Sequence, residues 1–150
     1  MDLEDKQILD LIERAKAASE NAYCPYSNYR VGAAVLTFDN RIYSGCNVEN
    51  AAFSQTIHAE ENAVSQAIAD GLLVRAEAGG IDQNQVLKLL AVFAPRGKDP
   101  WPCCNCRQFL SEFGTAFWVV GLEKRESKEK VVGLCFAELV PHLFSKEDVL

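Results

Sequence analysis

The sequence feature that most constrains the fold is a pair of short segments that lie far apart but carry complementary metal ligands. The first contains His58-Ala59-Glu60, and the second is Pro102-Cys103-Cys104-Asn105-Cys106. Zinc at a catalytic site takes three protein ligands, commonly imidazole or thiolate, and keeps a fourth position for water. Cys103 and Cys106 are three positions apart, so one helical turn can direct both sulfurs at the same ion. With His58 as the third ligand, the fold must bring two distant segments together.

Glu60 is the candidate catalytic residue in this pair of segments. It lies two positions after His58, which makes it a poor fourth ligand for the same ion. A carboxylate beside a metal-activated water is well placed to accept and deliver protons. His58, Cys103 and Cys106 are therefore the predicted Zn²⁺ ligands, and Glu60 is the predicted general acid–base residue.

Each half of the pattern has other interpretations when it stands alone. A single His-x-Glu is typical of a solvated helix start, and a C-x-x-C can be a redox pair, half of a structural zinc site or two core cysteines. A structural zinc site normally has a fourth Cys or His. The remaining candidates form no second closely spaced pair: Cys24, Cys46, Cys135 and His142. The metalloprotease pattern is excluded because Ala59 follows His58. The combination favours a catalytic site.

Composition limits the class of protein. The 150 residues predict a single domain over 1–150, and a hydrophobic content of 49% is enough for a core. A net charge of −6 argues against a nucleic-acid partner, which needs a basic surface, and suits a small, nearly neutral substrate. We expect no membrane span, because no apolar run is long enough. The acidic N-terminus lacks a signal peptide, and six cysteines without one favour thiols and metal in a cytoplasmic protein.

Hydrophobic periodicity predicts alternating helices and strands. The predicted helices cover Leu3–Ala22, Ile57–Ala69, Cys103–Phe113 and Phe136–Leu143, the last interrupted by Pro141. The predicted strands cover Val31–Thr37, Ile42–Cys46, Val86–Ala94, Phe117–Val120 and Val131–Leu134.

Two stretches have no clear element. Leu72–Gln85 reads as a loop that could include a helical turn, and Glu123–Lys130 reads as an exposed charged connection. The order of elements predicts an α/β fold with three layers, in which helices cover both faces of a mixed sheet of about five strands.

The chain resembles the cytidine deaminases. H-x-E followed by P-C-x-x-C is a known signature of zinc-dependent nucleobase deaminases. The resemblance extends over most of the sequence through further motifs: Tyr26-Ser27, Val31-Gly32-Ala33-Ala34, Gly45-Cys46-Asn47-Val48-Glu49-Asn50-Ala51, Cys106-Arg107-Gln108, Glu112-Phe113-Gly114 and Glu138-Leu139-Val140-Pro141.

The resemblance implies an activity and an assembly. The expected reaction is hydrolytic deamination of cytidine and deoxycytidine to the uridine nucleosides with release of ammonia, and Zn²⁺ is the only cofactor. The chain is similar to the short members of the family, which are typically homotetramers with active sites completed across subunits.

The resemblance also implies substrate-binding residues. Asn47 and Glu49 would hold the ribose 3′-hydroxyl, although ordinary turn chemistry also explains polar residues there. The backbone amide of Ala59 would bind the carbonyl oxygen of the base, and Tyr29 stands where a Phe usually packs near it. Phe144 matches a tail aromatic that reaches a neighbouring subunit's site, unless it anchors the tail in this chain's own core.

Several positions depart from the family pattern. His58 stands where the short enzymes often have a third Cys, and Glu61 stands where they often have Arg. Phe53 replaces a common Tyr, and Cys104-Asn105 replaces the usual pair of small residues. Two other functions therefore stay open: deamination of a modified cytosine nucleoside or nucleoside antibiotic, and a non-catalytic zinc-binding module. The intact Glu60 argues against the module, and the acidic charge argues against nucleic-acid editing.

Overall fold

The computed structural model describes residues 5–125, 128–145 and 148–149. In chain order, its elements are α1 (Asp5–Glu20), β1 (Gly32–Thr37), β2 (Ile42–Cys46), α2 (Ala59–Ala69), α3 (Leu72–Ala78), β3 (Leu87–Phe93), α4 (Cys104–Ser111), β4 (Trp118–Arg125), β5 (Lys128–Cys135) and α5 (Phe136–Leu139). Two short 3-10 turns cover Phe53–Gln55 and Gln83–Gln85.

The five strands form one mixed sheet in the order β2-β1-β3-β4-β5. β1 pairs with β2 and β3 in antiparallel orientation, and β4 pairs likewise with β5. β3 and β4 are parallel, so the chain must cross over between them, and this crossover contains the second metal-ligand segment and α4. The predicted mixed sheet of about five strands is confirmed.

Helices cover both faces of the sheet, as the predicted three-layer arrangement requires. On one face, the apolar stripe of α1, including Leu11 and Ala15, packs against alternate residues of the sheet such as Leu36 and Ala91. The opposite face packs against helices that follow β2, including residues of α2 and α4, around a second apolar cluster. Successive residues of a strand point to opposite faces, which explains the two separate clusters.

The position of α2 depends on its contact with β2. A Cβ at Gly45 would lie 2.5 Å from the Ala63 backbone nitrogen and 2.7 Å from the Ala59 carbonyl oxygen, so only glycine permits this approach. α2 also covers the outer edge of β2, where Asn62 Nδ2 donates to the Cys46 carbonyl over 3.1 Å. Gln66 Nε2 donates to the Ser44 carbonyl over 2.9 Å. The helix that carries Glu60 is therefore fixed directly on the sheet.

Two sequence-based predictions about connections are corrected by the structure. The helical turn left open within Leu72–Gln85 is a longer helix, α3, and Arg75 in it donates from Nε to Asp39 Oδ2 over 2.7 Å. This bond to the β1–β2 turn stabilises a short helix whose sequence alone, with Gly79-Gly80 after it, resembles a loop. Glu123–Lys130 is largely strand, because β4 extends to Arg125 and β5 begins at Lys128.

Helix boundaries also differ from the predictions. α1 covers Asp5–Glu20, and the predicted start at Leu3 lies outside the described residues. α2 and α4 begin one position after His58 and Cys103, so each ligand is an N-cap with extended backbone. α5 ends at Leu139 and does not reach Leu143, because the residue before Pro141 avoids the helical conformation. Among the helices of the described ranges, none has the length and apolarity needed to cross a bilayer.

Candidate active site

The fold brings the three predicted metal ligands together. His58 Nδ1 lies 3.4 Å from Cys103 Sγ and 3.2 Å from Cys106 Sγ, and the two sulfurs are 3.6 Å apart. Zn–S bonds of about 2.3 Å and Zn–N bonds of about 2.0 Å in tetrahedral geometry place ligand atoms about 3.5–3.8 Å from one another. The observed spacing is close to this range, so the donor set fits a zinc ion.

The environment of Cys106 favours a bound cation. Its side chain is fully buried, and burial together with nearby Glu60 and Cys103 raises the pKa of its thiol. Cysteine binds a metal as the thiolate. A buried thiolate among acidic groups needs a compensating positive charge, which a zinc ion provides.

The other candidate ligands stay outside this cluster. Within residues 5–125, 128–145 and 148–149, the only group of His, Cys or carboxylate side chains placed to hold a metal ion is His58, Cys103 and Cys106. Cys104, although adjacent in sequence, is exposed. The open, three-ligand arrangement is the one that catalytic zinc sites use.

Glu60 lies in the first turn of α2, beside the ligand cluster, and only 4% of its surface is exposed. Burial raises the pKa of its carboxyl group, because a charged carboxylate loses hydration there. A carboxyl group with a raised pKa holds and releases a proton more readily near neutral pH, which is the property a general acid–base residue needs.

A pocket of about 460 Å³ opens beside the ligands. It is lined by His58, Ala59, Glu60 and Cys103, and it is therefore a space in which a small molecule could meet both the metal and the carboxyl group. Ala59 is the first residue of α2, so its backbone N–H has no acceptor within the helix. Because Ala59 lines the pocket, the N-terminal end of α2 borders this space.

Asn47 also lines the pocket, and its side chain holds the pocket wall together. Its Oδ1 accepts from the Val31 backbone N–H over 2.8 Å, and its Nδ2 donates to the Tyr29 carbonyl over 2.9 Å. Asn47 is 8% exposed. The side chain therefore has a structural role that the sequence did not indicate, in addition to the ligand contact that was predicted.

Glu49, like Asn47, both lines the pocket and forms hydrogen bonds within the protein. Its carboxylate accepts from the Tyr26 N–H over 2.9 Å and from the Ser27 N–H over 3.2 Å, and it also accepts from the Ser27 hydroxyl. The bond from the hydroxyl, followed by those from the two backbone amides, lowers the pKa of the Glu49 carboxyl group against the opposing effect of burial. Glu49 thus faces the pocket as a fixed carboxylate.

The pocket contains residues that the sequence reasoning missed. Tyr29 lines it as expected, but so do Asp99, Pro100 and Trp101 from the loop before α4. The one sequence signal in that loop is that Trp101 is separated from the ligand Cys103 by a single proline.

Phe144 does not line the pocket of its own chain. Its side chain is 61% exposed, which contradicts the alternative that it anchors the tail in the core. Its backbone carbonyl accepts a hydrogen bond from Gln108 Nε2 over 2.8 Å, so α4 holds this part of the tail. The exposed ring remains available to a neighbouring molecule.

Comparison with known proteins identifies the family. The family described as the cytidine and deoxycytidylate deaminase zinc-binding region matches residues 5–122. The chain belongs to this family. Zinc is accordingly the metal of the His58, Cys103 and Cys106 cluster.

Relatives match the chain along nearly its whole length. A cytidine deaminase from Sporosarcina psychrophila is 40% identical over 141 residues, which cover 93% of this chain and 92% of the relative. A probable cytidine deaminase from Dictyostelium discoideum is 35% identical over 150 residues, covering 99% and 90%. The crystal structure of cytidine deaminase from Burkholderia pseudomallei superimposes with a TM-score of 0.73 at 36% identity, covering 91% and 98%. The α/β fold is thus that of the family.

Proposed function

We propose that this chain is a zinc-dependent hydrolase that deaminates cytidine and deoxycytidine to uridine and deoxyuridine, with release of ammonia. The observation that carries the proposal is the position of the buried Glu60 beside an open three-ligand metal cluster, in a pocket large enough for a nucleoside. A structural zinc site has no use for a buried proton carrier, so this arrangement favours an enzyme over a non-catalytic zinc module.

The residues of the chain account for the proton transfers. When bound, zinc supplies a positive charge that lowers the pKa of a coordinated water from about 15.7 toward about 7. Held by His58, Cys103 and Cys106, the ion would supply the activated water whose oxygen replaces the amino group at carbon 4. Glu60 would accept a proton from that water and deliver it to ring nitrogen 3 of the cytosine base. Glu60 then carries the second proton to the amino group, which leaves as ammonia.

The residues that line the pocket support the contacts that we assign between this chain and the nucleoside. The Ala59 backbone amide donates to the carbonyl oxygen of the base, and Tyr29 packs near the base. Asn47 and Glu49 bind the ribose 3′-hydroxyl. Their side chains can do so while keeping their bonds within the protein, because an amide and a carboxylate each form more than two hydrogen bonds. A site built around a hydroxyl rejects analogues that lack it, so free cytosine and 3′-deoxycytidine are expected to be very poor substrates.

An absorbance assay tests this function directly. Cytidine, deoxycytidine and cytosine are offered to the same preparation, and its zinc content is determined in parallel. Turnover of the two nucleosides but not of the free base, at about one zinc per chain, supports the proposal. A chain that binds zinc but deaminates neither nucleoside would point to a modified cytosine nucleoside or to the non-catalytic module.

We also propose that the chain is a cytoplasmic homotetramer without nucleic-acid or membrane partners. Exposed apolar residues near the pocket support assembly: Tyr23 (58% exposed), Tyr26 (52%), Val48 (37%), Phe53 (73%) and Ile57 (48%). They lie together, because Val48 bridges to both Tyr23 and Ile57, and the Tyr26 and Phe53 rings are 5.8 Å apart. A contiguous apolar surface of this kind is typical of a protein–protein interface.

Light scattering tests the assembly, and a truncation tests the role of the tail. If Phe144 completes the site of a neighbouring subunit, deletion of residues 144–150 reduces turnover more than it reduces zinc content. The full-length chain is the control. A fully active monomer would contradict the proposal.

A further inference from the structure

A pair of hydrogen bonds joins the two segments that carry the zinc ligands. Asn105 Nδ2 donates to Glu61 Oε1 over 2.6 Å, and the His58 backbone N–H donates to Glu61 Oε2 over 3.0 Å. Asn105 lies between Cys103 and Cys106 in sequence, and Glu61 is on the helix that His58 caps. One carboxylate therefore bonds both halves of the ligand cluster, although it is not part of the cluster itself.

The surroundings favour a carboxylate at this point. Glu61 lies in the first turn of α2, and Asn105 lies in the first turn of α4. The N-terminal end of a helix carries a partial positive charge, which stabilises an acidic side chain beside it. Hydrogen bonds that end on a carboxylate are also shorter and stronger than those between neutral groups. The link between the two helix starts is thus stronger than an ordinary surface contact.

Glu61 and Asn105, two of the residues that depart from the family pattern, form this contact with each other. An Arg at position 61 and a small residue at position 105, which the family resemblance leads one to expect, could not form this bond. In a well-formed zinc site, the distances from the ion to its ligands lie within about 0.2 Å of their standard values. His58 comes from a different helix start than Cys103 and Cys106, so their spacing depends on how α2 and α4 are held together.

We propose that Glu61 and Asn105 form a positioning pair that fixes the spacing between His58 and the two cysteines, and thereby sets the affinity of the site for zinc. The inference rests on the zinc site of the proposed function, but it concerns metal affinity and does not depend on the substrate. Partners of this kind, which orient ligands without touching the metal, typically change metal affinity or activity by about 10–100-fold when they are removed.

The first experiment measures zinc affinity by competition with a chelator, and in parallel the melting temperature of the zinc-free protein. Asn105→Ala is expected to weaken zinc binding about 10–100-fold. Lys88→Ala, on β3, is the matched control, because it also removes an exposed side-chain donor whose bond joins two elements, in this case from Nζ to Asn40 Oδ1 over 2.9 Å. It should leave zinc affinity unchanged. Equal losses of zinc affinity in the two variants would overturn the proposal, since they would indicate general destabilisation.

The second experiment exchanges the two functional groups. Asn105→Asp alone places two carboxylates in contact and should weaken zinc binding at least as much as Asn105→Ala. Adding Glu61→Gln should raise zinc affinity at least tenfold above that of Asn105→Asp alone. The glutamine can donate to the new carboxylate and still accept from the His58 N–H. A double variant no better than Asn105→Asp would refute a direct pair.

These results are independent of the proposed substrate. A wild-type chain that binds zinc but does not deaminate cytidine would contradict the proposed function, and the zinc affinities would still decide the role of the pair. A wild-type chain with no zinc affinity would overturn both.

Discussion

Gly45→Ala should damage the zinc site without changing any residue in it. The added Cβ would lie 2.5 Å from the Ala63 backbone nitrogen and 2.7 Å from the Ala59 carbonyl oxygen, whereas ordinary contact begins near 3.4 Å. Both atoms belong to the backbone of α2, so no side chain can rotate away. The helix must therefore move from β2 by about 1 Å.

The size of the effect follows from this displacement. Overpacking of this kind costs about 1–3 kcal/mol of stability. In a chain of this length, this lowers the melting temperature by about 2–12 °C. Because α2 begins next to His58 and carries Glu60, the same movement shifts a ligand and the proton carrier relative to Cys103 and Cys106. A misplacement of about 1 Å can reduce turnover about 100-fold, and it exceeds the tolerance of zinc coordination.

The assays are zinc affinity by chelator competition and turnover of cytidine by absorbance. Gly133→Ala is the control, because the nearest atom to its Cβ would be Val120 Cγ1 at 3.2 Å, a milder contact on a strand remote from α2. It should leave both measurements near wild type. If Gly45→Ala kept zinc affinity and turnover within about twofold of wild type, the packing of α2 on Gly45 would not determine the geometry of the site.

Four further substitutions test individual residues. Cys103→Ser should lose zinc in metal analysis, because an open three-ligand site cannot spare a ligand, whereas Cys104→Ser should retain it. If Cys104→Ser instead contained no zinc, the ligands would be wrongly assigned. Glu60→Gln should keep zinc and fold but lose about 100–10,000-fold in turnover, and near-normal turnover would eliminate its role. Asn47→Ala should lose about 1–3 kcal/mol in thermal unfolding, because both of its backbone bonds disappear, and an unchanged melting temperature would show that they contribute nothing.

The ligand cluster could be predicted from the sequence because metal chemistry restricts both residue type and spacing. Few combinations other than His58 with Cys103 and Cys106 could satisfy a catalytic zinc ion, so the sequence constrained even a contact between distant segments. The bonds of Asn47 and Glu49 were not predictable in the same way. Apart from the Ser27 hydroxyl, their partners are backbone groups of residues 26–31, and only the folded chain brings those groups within reach.

The errors at the two connections have a common physical cause, which is that charged side chains can belong to regular structure when an opposite charge lies beside them. The β4–β5 hairpin looked like a solvated connection because its residues are charged. In the structure, Lys124 is paired with Glu129 across the two strands, with 3.9 Å between Nζ and Oε1. The length of α3 was underestimated for a related reason, since Arg75 bonds to Asp39 in a turn far away in sequence.

The two edges of the sheet make strand-by-strand aggregation unfavourable. An unprotected edge offers unpaired backbone groups to any extended segment, and is a common starting point for fibrils. On the β2 side, the Ser44 and Cys46 carbonyls are already occupied by side chains of α2. On the β5 side, an incoming strand would meet exposed charges at residues 128–130. Both edges are therefore poor sites for the addition of a sixth strand to this sheet.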